Sequence, residues 1–425
     1  MTTRINGQMK DTTVERNAVL LPINHSGSSL SCLRSLHSHG VRTVAVSEHV
    51  TCPGLVSRFC DEQMVVPSPY EDLLAYKDAL LAGARRPSVA TIIPHREMDS
   101  YLLAKYHDEF AQHVTPLWPT FEQVQTVQDS LAMADAAQDA GVPTPNTWSF
   151  DAVPDWDRPL IVKPRYAFLT GGHVDSLDDD DCIGKMEPIY LERGERPTLA
   201  DIQQRMHPAG VEISDHIPVV QERVDHTARE YGFRGLCDRG QTTLTCQKRQ
   251  IRGTSYAGGA SVYRKTMADE KIDEYSRQLL SHLDWHGLAS VQYLYDPALD
   301  NYVFTEINPR VWASLEMDVC AGANFPVAHW QLATTGEQAI ETGYTVDTGN
   351  HLLFGELQYL LSIVREEYPD IEPPSLQSAV IAVARSCVTD PHFDFVRLDD
   401  PRPLLTAIRN QLPVGSRDDT LVAGE

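Results

Sequence analysis

Short uncharged apolar runs alternate with helical repeats from residue 18 onward. AVLLPI (18–23) is an apolar run of strand length. It precedes SSLSCLRSLHSHG, where Leu30, Leu33 and Leu36 recur at helical spacing and Gly40 stops the pattern. VRTVAVS (41–47) is a second strand. EQMVVPS and VATIIPH read as two more, with helices over 71–83 and 97–112. A β-α-β opening predicts a parallel sheet. Residues 18–120 are therefore expected to form a small doubly wound α/β domain.

The pattern then changes. DSLAMADAAQDAGVPTP predicts a helix ended by Gly141 and a proline-punctuated exit. RPLIVKP is a strand with Lys163 at its end, and YAFLTGGH is a loop holding Gly171 and Gly172. Residues 175–195 read as an acidic loop, LADIQQRMH as a helix and IPVVQERVD as a strand. REYGFRGLCDRGQTTLTCQKRQIR predicts a hairpin turning at DRG, and LASVQYLYDPALDNYVFTEINP a second turning at DPALDN. DEKIDEYSRQLLSHLDWHG between them is an amphipathic helix. Helices are expected over 315–340 and 351–367. The tail adds a strand, SAVIAVARS, and a helix, PRPLLTAIRN.

Composition narrows the function classes. The 425 residues are 42 % hydrophobic, which suits two or three globular units. No apolar run reaches about 18 residues, so no membrane-spanning helix is expected. The first 17 residues are polar, lack the apolar core of an export signal, and read as a flexible leader. The eight cysteines form no CxxC pair and no zinc spacing, so reduced thiols in a cytoplasmic protein are expected. The net charge of -23 argues against nucleic acid as a partner. Only eight of the 36 basic residues are Lys. Such an acidic, Lys-poor balance resembles that of halophilic proteins, in which high salt screens self-repulsion. The DDDD run (178–181) reads as a solvated loop rather than a metal site.

VFTEINPRVWASLE (303–316) carries the candidate chemistry. Alternation puts Glu306, Asn308 and Arg310 on one face for as long as the strand lasts. A carboxylate and an amide oxygen side by side are hard ligands that suit Mg2+. A nearby guanidinium can hold a phosphate or a developing anion. A salt-bridged strand end explains the same triplet, and its company decides between the two. A strand-end Lys, a glycine loop, VVQERV, a hairpin with Glu230 and a basic strand precede TEINPR in that order. This order resembles the ATP-grasp superfamily, specifically its carboxylate–amine ligase-like members, over about residues 18 to 335. EINPRVWASLE carries most of the likeness.

The resemblance implies an α/β and α+β chain with the ATP-grasp fold. Residues 18–120 would be the pre-ATP-grasp domain and 121–340 the ATP-grasp domain, with lobes at about 121–220 and 221–340. Residues 341–425 lie beyond the resemblance as a C-terminal extension without an assigned role, open to packing on the cleft or to a homodimer contact. It implies ATP with Mg2+, or Mn2+ in its place, and small-molecule carboxylate and amine substrates. Lys163 would reach the nucleotide phosphates, and the Gly171–Gly172 loop would cover them. Gln221, Glu222, Arg223 and Val224 would present backbone to the adenine, and Glu222 or Glu230 would accept the ribose hydroxyls. Lys248, Arg249 or Arg252 would reach the γ-phosphate or substrate; alternation places 248, 250 and 252 on one face. Glu306 and Asn308 would hold the metal, and Arg310 would stabilise the transferred phosphoryl group.

The sequence departs from the pattern at two positions. Ser130 and Gln292 stand where a phosphate-touching Lys and an acidic metal ligand are usual. Gln292 offers an oxygen without a charge, and Asp296 could compensate. A nucleotide-binding protein without efficient ligase turnover is therefore the alternative. INHSGSSLSC lacks GxGxxG spacing, which ranks a nicotinamide site last. His25, His95 and Arg96 are open as substrate contacts.

Overall fold

The computed structural model describes residues 16–208, 213–224, 230–337, 343–368 and 371–411. The expected leader falls almost wholly outside them. Strands β1 (Ala18–Pro22), β2 (Arg42–Ser47), β3 (Glu62–Val65) and β4 (Val89–Ile92) form a parallel sheet in the order β3-β2-β1-β4. The uncharged runs at 18–22 and 89–92 are buried along their length because helices cover both faces of this sheet.

A second sheet is antiparallel. It is built from β5 (Thr147–Ser149) and β6 (Leu160–Lys163), followed in sequence by the short pair β7 (Leu169–Thr170) and β8 (Cys182–Ile183). Then come β9 (Ile189–Leu191) and β10 (Val219–Glu222), giving the order β5-β10-β6-β9. β8 and β9 lie within 175–195, where composition predicts only loop. Buried Cys182, Ile189 and Leu191 supply the apolar positions that the aspartates mask.

The third sheet joins β11 (Glu230–Asp238), β12 (Gln241–Ser255), β13 (Gly258–Met267), β14 (Gly287–Asp296), β15 (Asn301–Asn308) and β16 (Gly349–His351). Its order is β15-β14-β11-β12-β13-β16. Both predicted hairpins are present, and β13 and β16 extend the sheet beyond them. One face packs Phe233, Val291, Tyr293 and Phe304 against the helix Glu270–His282. The other packs Leu236, Leu244 and Trp312 into one core with Val19, Leu21 and Leu33 of the parallel sheet. The end of β15 is thereby fixed against the N-terminal sheet. Among the described residues no helix is long and apolar enough to cross a membrane.

The tail differs from expectation. SAVIAVARS lies in a helix, Leu376–Thr389, not a strand. Val380, Ile381 and Val383 favour a strand locally, but the buried positions Ala379 and Ser386 are seven apart, the spacing of two helical turns. Ser375 accepts a hydrogen bond from the Ser378 N–H as an N-cap.

Candidate functional site

Two bulges decide which side chains of the large sheet share a face. On β15 the register passes from Gln292↔Glu306 to Tyr293↔Phe304, so Thr305 is the extra residue. Phe304 turns into the core while Glu306 and Asn308 face the other way, beside Gln292 and Ser290. Glu230, Gly232 and Arg234 of β11 and Lys248 of β12 lie on that same face. The second bulge, at Ile251, separates Gln250↔Arg264 from Arg252↔Tyr263. It rotates Arg252 to the opposite face, so 248, 250 and 252 do not line up as alternation predicts.

Asn308 Nδ2 donates to Glu306 Oε1 at 2.9 Å, which leaves the Asn308 amide oxygen turned outward from this bond. Gln292 Oε1 is buried and has no hydrogen-bond partner among the described residues. Among the described residues no three His, Cys, Asp or Glu side chains converge as a metal site. One carboxylate and two side-chain amides do neighbour one another on this face, a donor set compatible with Mg2+ that keeps water or phosphate ligands. The orphaned Gln292 oxygen fits such an ion.

Lys163 ends β6, and its Nζ donates to Gln221 Oε1 at 2.6 Å. Burial pulls the ammonium pKa down, and the Glu306 carboxylate partly restores it. The strand end at 163 therefore feels the strand end at 306, although they belong to different sheets. Lys248 is buried and paired with Glu230. Burial lowers its pKa, with Arg234 and Arg264 adding to the effect and Glu230 opposing it. Burial acts to raise the Glu230 pKa, but those cations outweigh it and hold the carboxyl below its ordinary range.

Arg310 lies past the end of β15 and pairs with Glu97 at 3.0 Å. Its neighbours are docked on the N-terminal sheet. Val311 N–H donates to Pro94 O at 3.0 Å, and Ser100 Oγ donates to Pro309 O at 2.6 Å. The glycine loop is anchored from the same side. Gly172 N–H donates to Thr170 Oγ1 at 3.2 Å, and Thr170 Oγ1 donates to the Tyr101 hydroxyl at 3.2 Å. A side chain at Gly172 would collide with that hydroxyl, and one at Gly171 would come within 2.7 Å of Asp178 O. Close packing therefore requires both glycines.

Other residues are placed differently from the sequence reading. Glu222 lies on the face of β10 opposite Gln221 and is held by Arg158 and Asn146. The N–H groups of Glu222 and Arg223 already donate to Asn146 O and Pro159 O. Val224 is the last described residue before 230. Arg252 forms a bidentate pair with Glu356, at 2.9 and 2.8 Å, far along the chain in the C-terminal region. Arg249 pairs with exposed Asp347. His95 is buried with its ring on Ile93 O, and burial pushes its pKa down to about 4. Arg96 is consumed by buried Glu48. Asp296 caps its own turn by accepting from the Ala298 N–H, so it does not stand in for Gln292. One residue on this face, Arg234, escaped the sequence reading, and one named residue is used in a different way. Gln221, read as a backbone contact, bonds Lys163 and Thr147 through its side chain. Arg234 was hidden because an apolar strand gives no signal for a buried guanidinium bonded to Ser290 Oγ at 2.7 Å.

Comparison with known proteins rests on structure. No family profile matches the sequence, and no curated protein matches it. The biotin carboxylase domain dimer of 2-oxoglutarate carboxylase from Hydrogenobacter thermophilus, solved with MgADP, ADP and bicarbonate, superposes with a TM-score of 0.59 at 13 % identity. The match covers 78 % of this chain and 73 % of that one. N5-carboxyaminoimidazole synthetase from Staphylococcus aureus, solved with ADP, gives 0.55 at 14 % identity over 79 % and 82 %. L-amino acid ligase from Bacillus licheniformis gives 0.54 at 13 % identity over 76 % and 75 %. The chain has the ATP-grasp fold. Within that fold, Lys163 and Gln221 neighbour each other on the second sheet, and Glu306, Asn308 and Gln292 lie on adjacent strands of the third.

Proposed function

We propose that the chain is an ATP- and Mg2+-dependent ligase that activates a substrate carboxylate as an acyl phosphate and couples it to an amine. One observation carries the reading: in a chain with the ATP-grasp fold, Lys163 bonded to Gln221 ends one strand and Glu306 bonded to Asn308 lies at the end of another. Such opposed strand ends suit a nucleotide held between lobes at about 121–220 and 221–340. The similar structures solved with ADP and the one named L-amino acid ligase support the same chemistry.

In this reading Lys163 neutralises phosphate charge. Glu306, Asn308 and Gln292 would hold Mg2+, or Mn2+ in its place, which would supply positive charge against the nucleotide phosphates. The Gly171–Gly172 turn closes over the phosphates. Glu230 accepts from the ribose, and Lys248 sets its charge. A carboxylate oxygen of the substrate attacks the γ-phosphorus and ADP leaves. The amine nitrogen then attacks the acyl carbon, phosphate leaves, and the nitrogen loses a proton. Arg310 turns from Glu97 to the anion formed on the way. Arg252 takes no part, because it faces away from this cleft.

A second reading, a nucleotide-binding protein without efficient turnover, draws on the neutral Gln292 beside the single carboxylate. ADP release in molar KCl with Mg-ATP, screened over pools of amino acids as acceptors, separates the two. Acceptor-dependent release that Glu306→Ala abolishes supports the ligase. Tight Mg-ATP binding with no acceptor-dependent release supports the second reading, and turnover surviving Glu306→Ala removes the site assignment.

A further inference from the structure

We propose that the helices Leu353–Arg365 and Leu376–Thr389 form the surface through which two copies of this chain associate. The second helix has nine apolar residues and a single charge, Arg385. A helix of that composition is ordinarily enclosed. Here only Ala379 and Ser386 are buried, while Ile381 is 60 % and Val388 80 % exposed. The first helix packs beside it and continues the surface. Its inner side, Gly355, Glu356 and Ser362, is buried against the sheet, with Gly355 tight on Val262. Its outer side presents Leu353, Leu357, Leu361 and Val364, spaced four, four and three residues apart, all exposed. No described residue covers this double stripe.

The chemistry of the surface selects the occupant. The chain carries a net charge of -23, yet the exposed positions of Leu376–Thr389 include no carboxylate. Two copies can therefore bring these faces together without stacking like charges. A nucleic acid or an anionic membrane would find only Arg385 on this helix to neutralise its charge, and an in-plane membrane helix needs a basic polar face. The length suffices as well. Twenty-two of the 27 residues in the two helices reach solvent. A standard stable interface draws about 20–30 residues per side. A two-fold contact uses the same patch on both partners, so it removes both exposed faces at once. Small residues at 378, 382 and 384 permit close helix approach.

The test is sedimentation velocity of the full chain in molar KCl over a wide concentration range, with Ile381→Glu and Leu357→Glu as separate variants. The wild type is expected to dimerise. Each variant is expected to weaken association by roughly 100-fold, with its far-UV circular dichroism intact, because a charge then sits at the apolar contact. A dimer that survives both substitutions overturns the proposal. So does a wild type that stays monomeric throughout. Two further arms identify the cover in that case. Association only after removal of residues 412–425 points to the tail, and co-sedimentation with anionic vesicles points to a membrane.

Discussion

Lys163 Nζ donates to Gln221 Oε1 at 2.6 Å, and the orientation of that amide is fixed from behind. Gln221 Nε2 donates to Thr147 Oγ1 at 2.9 Å, and the Thr147 hydroxyl spends its own proton on Pro145 O at 3.0 Å. The amide oxygen is therefore the end that meets the ammonium. A hydrogen bond to a charged group contributes about 1.5–3 kcal/mol. Gln221→Ala leaves Lys163 unsupported and is expected to weaken Mg-ATP binding roughly 10- to 100-fold by calorimetry. Unchanged affinity would show that Gln221 does not position Lys163 for the nucleotide.

Gln292 lies directly across from Glu306, and its Oε1 has no partner among the described residues. Gln292→Glu would set two carboxylates side by side on neighbouring strands. Like charges there destabilise the metal-free protein by roughly 1 kcal/mol. A divalent ion relieves that repulsion. The variant is expected to melt below the wild type in EDTA and to gain more from added Mg2+ than the wild type does. Its metal affinity should rise roughly tenfold. Equal metal response in the two proteins would place the ion elsewhere.

Much of this site was legible in the sequence because strand ends announce themselves. Lys163 precedes a proline, and Glu306, Asn308 and Arg310 surround one. Parallel strands of uncharged residues gave the N-terminal sheet, and turn residues gave both hairpins. Bulges were the hidden element. An extra residue at Ile251 or Thr305 changes no composition, yet it moves Arg252 out of the site and Phe304 into the core. The tail failed for a related reason: β-branched residues at 380, 381 and 383 favour a strand, and packing along 379 and 386 overrides them.

Asp318 supplies a pH test. Burial pushes its carboxyl up to about 6, against the pull of the Arg234 charge and the Trp312 indole N–H. A raised acid binds its proton more tightly in the folded state than in the unfolded one. Stability from this group is therefore highest below the ordinary carboxylate range and falls as pH rises towards 6. The loss is roughly 3 kcal/mol at about 1.4 kcal/mol for each unit of pKa. Asp318→Asn removes the titration and keeps an oxygen for Trp312. In urea unfolding, the variant should gain on the wild type between pH 4 and pH 7 by about that amount. A constant difference across the range would refute the assignment.

Arg252 is expected to be a structural residue rather than a catalytic one. It joins β12 to the helix Leu353–Arg365 through Glu356 and to the helix Leu376–Thr389 through Ser386 Oγ at 2.5 Å, and it stacks over Tyr263 of β13 at 4.5 Å. Burial raises the Glu356 pKa, but its bonds to His351 and Arg252 outweigh that and hold it below the ordinary carboxylate value. The pair's contribution is therefore complete above that ordinary value and disappears as pH falls through the depressed one. Arg252→Met keeps the apolar stem and leaves the buried Glu356 carboxylate with His351 alone, at a cost of up to about 3–5 kcal/mol. Arg252→Met with Glu356→Leu removes both charges and should recover most of that loss. In the folded single variant, nucleotide binding should match the wild type, because Arg252 and Lys248 lie on opposite faces of the sheet. If Arg252→Met instead abolishes binding at unchanged stability, the rotation at Ile251 does not remove it from the site.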